Sequence, residues 1–214
     1  MEGWSWPLQG IRLRTADLDL QVMTEADLPT LWELLPDDVE MNPHATTYAG
    51  LDERANRRAV LAQGYWRALG LWSPDDWALP FVVRSEGVVV GAQWLEGPDW
   101  RADRTVDSSS WLVPRARGRG LGQQMRAAVL ALAFGPLRAE AAISSAVIGN
   151  APSLGVSRAL GYRETHRSVL EHSGETLQHV RLGREAWAAS GGARGVVIDG
   201  VAPALPLFGI EGGS

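Results

Sequence analysis

Between residues 115 and 123 the chain reads Arg115-Ala116-Arg117-Gly118-Arg119-Gly120-Leu121-Gly122-Gln123. Glycines let a backbone turn tightly enough for successive N–H groups to converge on one anion. An amphipathic stripe of Leu121, Met125, Val129 and Leu132 follows, so a helix N-terminus adds its partial positive charge there. Arg115, Arg117, Arg119 and Arg126 bring mobile charge to the same point. Residues 101–126 hold six Arg and two Asp inside a chain of net charge −5. The chemistry this suits is grip on a phosphate or pyrophosphate. A Gly-rich turn with a solvated Arg face is the other reading of the same residues. The spacing Gly118-x-Gly120-x-Gly122 is not the dinucleotide G-x-G-x-x-G, and a phosphate loop of the Walker type needs a Lys that is missing.

All twenty basic residues are Arg, and Cys is absent. Those absences exclude Schiff-base chemistry, Cys nucleophiles, disulfides and thiolate metal sites. The acidic balance leaves no global field for nucleic acid or an anionic membrane. His44, His166 and His179 have no metal-ligand spacing, so no metal is expected. The N-terminal MEGWSWPLQG lacks the pattern of a secretory signal, and the longest apolar run, 127–137, is about half of what spans a bilayer. The expected location is cytoplasmic.

The elements that must position the loop can be read from periodicity. Residues 11–23 alternate as a strand. Thr24 and Asp27 resemble a capping box ahead of a helix over 25–35. Residues 36–51, with Asp37, Asp38 and Glu40, form a long loop, and a second helix covers 52–69. Strands follow at 77–84 and 88–96, joined as a hairpin, and a polar turn over 97–104 leads to a strand at 105–113. The loop-following helix runs to 134 and a small-residue strand covers 140–148. Asn150 sits where an N-cap belongs, with Pro152 in the first turn of a helix ending at Gly161. A hairpin over 162–184 completes the α/β order. Residues 185–214 turn Ala/Gly-rich, with apolar patches at Val196–Ile198 and Leu205–Phe208 that suit packing on this domain, 1–184, or on a neighbouring subunit. A homo-oligomer is expected on that ground.

Arg117-x-x-Gly120-x-Gly122 between a strand and a helix resembles the acyl-CoA pyrophosphate loop of the GNAT acyltransferase superfamily. Asn150-x-x-Ser153 followed by Leu160-Gly161-Tyr162 resembles a second block of that family, in the right order and separation. Within it, the chain is similar to the ribosomal-protein alanine acetyltransferase branch. An actinobacterial subgroup carries motifs similar to Val106-Asp107-Ser108-Ser109-Ser110-Trp111-Leu112 and Met125-Arg126-Ala127-Ala128-Val129-Leu130. The tail Pro206-Leu207-Phe208-Gly209 resembles a mycobacterial member thought to use succinyl-CoA. The resemblance implies a mixed, mostly antiparallel sheet of six to seven strands with helices on both faces. Strands 105–113 and 140–148 would run parallel and splay apart. Pantetheine would lie between them on the backbone of Trp111, Leu112 and Val113, and CoA would be held by Arg117, Gly118, Arg119, Gly120, Leu121, Gly122, Gln123, Asn150 and Ser153.

The expected activity is direct attack of an amine on acetyl-CoA, or succinyl-CoA, in a ternary complex. The amine would belong to a small molecule or a protein N-terminus. Three tasks need groups: a base for the amine, donors for the oxyanion, and an acid for the thiolate. Backbone N–H groups near Leu112–Val113 suit the second. Family members often use a Tyr at the place of Ser157, so the resemblance points to Ser153 for the third; a helix cap is its other reading. Candidates for the base are Asp107, Glu96, Glu171 and His172. Deprotonating a Lys amine at pH 7 costs roughly 4.6 kcal/mol, against roughly 1–1.4 kcal/mol for an α-amine, which favours an α-amine or another weak base. The rival readings are a non-catalytic acyl-CoA-binding regulator and, disfavoured by charge, a nucleic-acid module.

Overall fold

A computed structural model describes residues 6–211 apart from Glu40, Pro43, His44 and His172; Glu40, named above in the acidic loop, and His44 and His172, named among the His and base candidates, thus lie outside the described residues. The chain builds one nine-stranded mixed sheet. In chain order its elements are β1 (Arg12–Arg14), β2 (Asp19–Val22), α1 (Leu28–Leu34), α2 (Glu53–Gly70), β3 (Trp77–Ser85), β4 (Val88–Gly97), α3 (Trp100–Asp103), β5 (Thr105–Leu112), α4 (Leu121–Phe134), β6 (Ala141–Val147), α5 (Ala151–Ala159), β7 (Arg163–Val169), β8 (Thr176–Gly183), α6 (Arg184–Ser190) and β9 (Val197–Asp199). The spatial order is β7-β8-β6-β5-β4-β3-β2-β1-β9.

Nine strands replace the expected six to seven for two local reasons. Residues 11–23 are not one strand, because Leu18 N–H donates to Thr15 Oγ1 at 3.1 Å and Thr15 N–H to Leu18 O at 2.9 Å. That closes a turn and folds β1 onto β2. The Ala/Gly-rich tail then adds β9, antiparallel to β1, with Ile198 opposite Leu13. The polar turn expected over 97–104 contains α3, whose Trp100 is fully buried. Thr24 and Asp27 do form the capping box, with Thr24 N–H donating to Asp27 Oδ2 at 2.9 Å.

The pair that matters for function is β5 and β6. They are the sheet's parallel neighbours, and their pairing covers only Thr105–Ala141 and Val106–Ala142. Beyond those residues the strands diverge and a slot opens toward their C-terminal ends. Ser144 Oγ donates to Ser108 O at 3.3 Å just past the last ladder pair, so a side chain spans the gap where backbone bonds stop. On one side of this half of the sheet Ala142, Ser144 and Ala146 of β6 and Gln178, Val180 and Leu182 of β8 are buried. A Cβ on Gly161 would touch Leu182, and one on Gly122 would touch both Leu112 and Val156, so α4 and α5 cover that face. The opposite face, carrying Ser109, Ser145 and Arg181, is exposed.

Candidate active site

The loop between β5 and α4 is built from a 3-10 turn, Pro114–Ala116, and two glycines in left-handed conformation, Gly118 at φ 71° and Gly120 at φ 77°. A Cβ at either glycine would meet nothing within 4 Å, so their requirement is conformational and the space above them is open. The N–H groups of Gly118, Arg119, Gly120, Leu121 and Gly122 have no partner among the described residues, while Gln123 and Gln124 N–H both turn back to Gly120 O at 3.2 Å. Five free donors ahead of a 14-residue helix form a cradle for an anion.

The arginines divide differently from the expectation. Arg119 is exposed and unpaired, and Arg115 reaches Val89 O at 3.5 Å. Arg117 donates through Nε to Leu112 O at 2.9 Å and pairs bidentately with Asp38, its Nη2 lying 2.8 Å from Asp38 Oδ1. The guanidinium lowers the Asp38 pKa below the ordinary carboxylate range. Arg126 is not part of the loop's charge at all. It is 4% exposed and donates to Ser157 Oγ at 2.9 Å, between α4 and α5, because the second helical turn faces the core.

The backbone of β5 supplies the slot's wall. Val113 N–H donates to Val90 O at 2.9 Å, and Trp111 stands opposite Ala92 in the same phase. Since bonded and non-bonded pairs alternate in an antiparallel ladder, Val113 and Trp111 are committed to β4. The groups of Ser108, Ser110 and Leu112 turn toward the slot instead. Ser108 N–H is bonded to Asp107 Oδ1 at 2.6 Å. The open groups are therefore the N–H and C=O of Ser110 and the N–H of Leu112. Of Trp111, Leu112 and Val113, only Leu112 turns its backbone toward the slot, and Ser110 joins it.

Asn150 caps α5 by accepting Ser153 N–H at 3.1 Å. The cap is thus the Asn side chain, and the Ser153 hydroxyl has no partner among the described residues. Ser157 Oγ in turn donates to Ser153 O at 3.3 Å. On the α4/α5 side of the slot lie buried polar atoms without hydrogen-bond partners: Arg126 Nε, Tyr162 Oη and Ser108 Oγ. Tyr162 feels the Ser108 hydroxyl without reaching bonding geometry, and burial pushes its pKa up to about 12.

On the face away from α4 and α5, Glu96 and Asp107 are half-buried and directly opposed across β4 and β5. Burial, then the negative charges of Asp107 and Asp76, push the Glu96 pKa up to about 7, and a hydrogen bond with the Ser109 side chain opposes the rise. Burial also raises Asp107, against its bond to Ser108 N–H and the charge of Arg126. Two opposed carboxylates cannot both ionise freely, and Glu96, bonded to the Ser109 side chain, is the one pushed up to about 7. Glu171 is exposed in the β7–β8 turn with no such environment. His179 and His166 stack with ring centroids 4.2 Å apart, and Ser168 Oγ lies 2.7 Å from His179 Nε2. This stack and the burial of Arg126 left no trace in spacing, because both depend on cross-strand or inter-helix neighbours. Among the described residues no His, Asp or Glu cluster could hold a metal, and no helix is long and apolar enough to cross a membrane.

A splayed parallel pair followed by an N–H cradle at a helix start defines a class of proteins that hold an acyl-CoA along a broken sheet. The acetyltransferase (GNAT) domain family matches residues 17–163, and the chain belongs to it. Its fold is that of the Mycobacterium smegmatis RimJ structure in complex with CoA-disulfide, with 17% identity, TM-score 0.67 and coverage of 86% of this chain and 96% of that one. A spermidine N-acetyltransferase SpeG chimera from Vibrio cholerae and hSSAT shares 13% identity with TM-score 0.62, covering 81% and 99%. Acyl transfer from CoA is the activity of this family.

Proposed function

We propose that the protein is an N-acyltransferase that moves an acetyl group from acetyl-CoA to an amine by direct attack in a ternary complex. One observation carries the reading: Glu96, poised near pKa 7, stands opposite Asp107 and bonds the Ser109 side chain of β5, the strand whose other edge walls the open backbone slot. A non-catalytic CoA binder has no use for a carboxylate held half-protonated.

The roles follow from position. The N–H cradle from Gly118 to Gly122 holds the pyrophosphate, with Arg119 alongside, and the Ser110 and Leu112 edge pairs with pantetheine. Glu96 accepts the proton from the amine as its lone pair attacks the thioester carbon, and Asp107 sets the Glu96 affinity for that proton. The Leu112 N–H faces the oxyanion. When the C–S bond breaks, the free Ser153 hydroxyl donates a hydrogen bond to the leaving thiolate, which takes its proton from solvent as protonated Glu96 returns one to it. Asn150 fixes Ser153 by capping its N–H. Holding a near-neutral base rather than a strong one favours an α-amine or another weakly basic amine.

Succinyl-CoA is a second donor reading, favoured by the unpartnered Arg126 Nε on the α4/α5 side of the slot, which offers a cation to a distal carboxylate. Calorimetry with CoA, acetyl-CoA and succinyl-CoA tests the proposal. All three bind wild type and lose binding in Gly120→Glu, because the substitution strains a positive φ and places a carboxylate in the cradle. Absence of binding by wild type overturns the acyltransferase reading. A preference between the two acyl chains names the donor.

A further inference from the structure

Beyond the splay, the exposed face of the sheet carries charge of the opposite sign. Arg163 of β7 stands directly opposite Arg181 of β8, and Arg181 stands opposite Ile143 of β6. Continuing the parallel register from Val106–Ala142 by one residue sets Ile143 beside Asp107, and Asp107 is opposed by Glu96. One row across the sheet therefore reads Arg163, Arg181, Ile143, Asp107, Glu96. The next row on the same face carries His179, Ser145 and Ser109, with His166 stacked on His179.

Arg163 and Arg181 are both exposed and have no hydrogen bond or ion pair among the described residues. Like charges directly opposed on neighbouring strands destabilise a sheet, and this pair lacks a carboxylate to relieve it. Arg12 and Arg14 of β1 each have one, Asp19 and Asp199 respectively, and Arg167 of β7 is bonded to Gln178 across the strands. Two strand spacings, one of them already widened by the splay, put Arg181 more than about 10 Å from Asp107, and the long Arg side chains reach back over part of that distance.

We propose that Arg163 and Arg181 form an anion subsite for the acceptor, and that the acceptor is an amine carrying an anionic group roughly 5–10 Å away. Its amine faces Glu96 and Asp107 while its anion faces the two guanidinium groups, so the surface orients a dipolar molecule and repels a polycation. The inference rests on the acyl-transfer reading above for the position of the amine. The required separation exceeds that within a single α-amino acid. It suits the terminal carboxylate of a short free peptide, or an acidic side chain in the first residues of a longer one.

The test pairs each acid with its neutral isostere. Gly-Gly-Gly is compared with its C-terminal amide, and the amide-capped peptide Ala-Asp-Ala with Ala-Asn-Ala. Wild type and the double variant Arg163→Gln/Arg181→Gln are each saturated with CoA, and peptide affinity is measured by calorimetry. Acetyl-CoA turnover is followed separately by thiol release. The expected result is roughly tenfold tighter binding of the acid in at least one pair, falling to near parity in the double variant. The pair that shows the gap identifies the source of the anion. Equal affinity for acid and isostere in both pairs, or a gap unchanged in the double variant, overturns the subsite. The binding arm needs no catalysis, so loss of turnover alone counts against the transferase reading and leaves the subsite standing on its own result.

Discussion

Glu96 ties the site's chemistry to pH. Its raised pKa of about 7 means that the base is protonated in acid, so kcat should rise with pH along a limb centred near 7. Glu96→Gln should remove that limb and lower kcat by about 10²–10⁴-fold, as steady-state rates from pH 5.5 to 9 would show. The same shift has a thermodynamic sign. The folded protein binds the Glu96 proton more tightly than the unfolded chain, whose value is 4.5. The stability contribution is therefore full below about 4.5 and lost as pH rises through about 7. Glu96→Gln should raise Tm at pH 8 relative to wild type and lose that advantage at pH 4. Single residues were legible in the sequence only where backbone chemistry spoke through them. The left-handed Gly118 and Gly120 and the cap at Asn150 declare themselves by residue type. Glu96 and Asp107 needed the β4–β5 register to become a pair, and Val113 needed it to become unavailable.

At the scale of elements, the loop before α4 and the segment after α1 are fastened together by Arg117 and Asp38. Both partners are substantially exposed, the side chains retaining 40% and 61% of their accessible surface, so the pair is worth about 0.2–1 kcal/mol. Asp38→Asn removes an anion from the rim of the cradle that competes with phosphate for the same guanidinium. CoA affinity should increase by about 1.5- to 5-fold, and calorimetry at low ionic strength would resolve it. Helix and strand positions were largely legible, since α2, β3, β4, β5, α4, β6 and α5 each follow one clear period. What failed was the count of strands. The Thr15–Leu18 turn is closed by a hydroxyl within an otherwise strand-like alternation, and β9 is a three-residue strand that exists only because β1 offers it an edge.

The whole molecule is completed by its tail. Ala204, Phe208 and Ile210 are buried, which gives the Leu205–Phe208 patch a home within the chain, while Val197 of the other apolar patch stays exposed. Phe208 packs edge-on against Trp72 and Trp77, at centroid distances of 5.1 and 4.9 Å. Trp100 Nε1 donates to Phe208 O at 3.0 Å, and Trp72 Nε1 to Leu207 O at 2.9 Å. Phe208→Ala should cost about 3–5 kcal/mol, lowering Tm by roughly 6–20 °C in a thermal melt. Composition pointed to this packing, but four aromatic rings drawn from α3, β3, a loop and the 3-10 turn of the tail cannot be assembled from local periodicity.

The joining of β1 to β9 also sets a schedule. Arg14 and Asp199 are 185 positions apart and share an ion pair. During synthesis the first strand leaves the ribosome long before its outer neighbour exists, and the indole N–H groups of Trp72 and Trp100 emerge without their acceptors. Loop closure on this scale comes late in folding. The nascent chain must carry an unfinished sheet edge and an uncovered aromatic cluster until residues 197–208 arrive, so a chaperone that shields that edge would serve this protein most before those residues emerge.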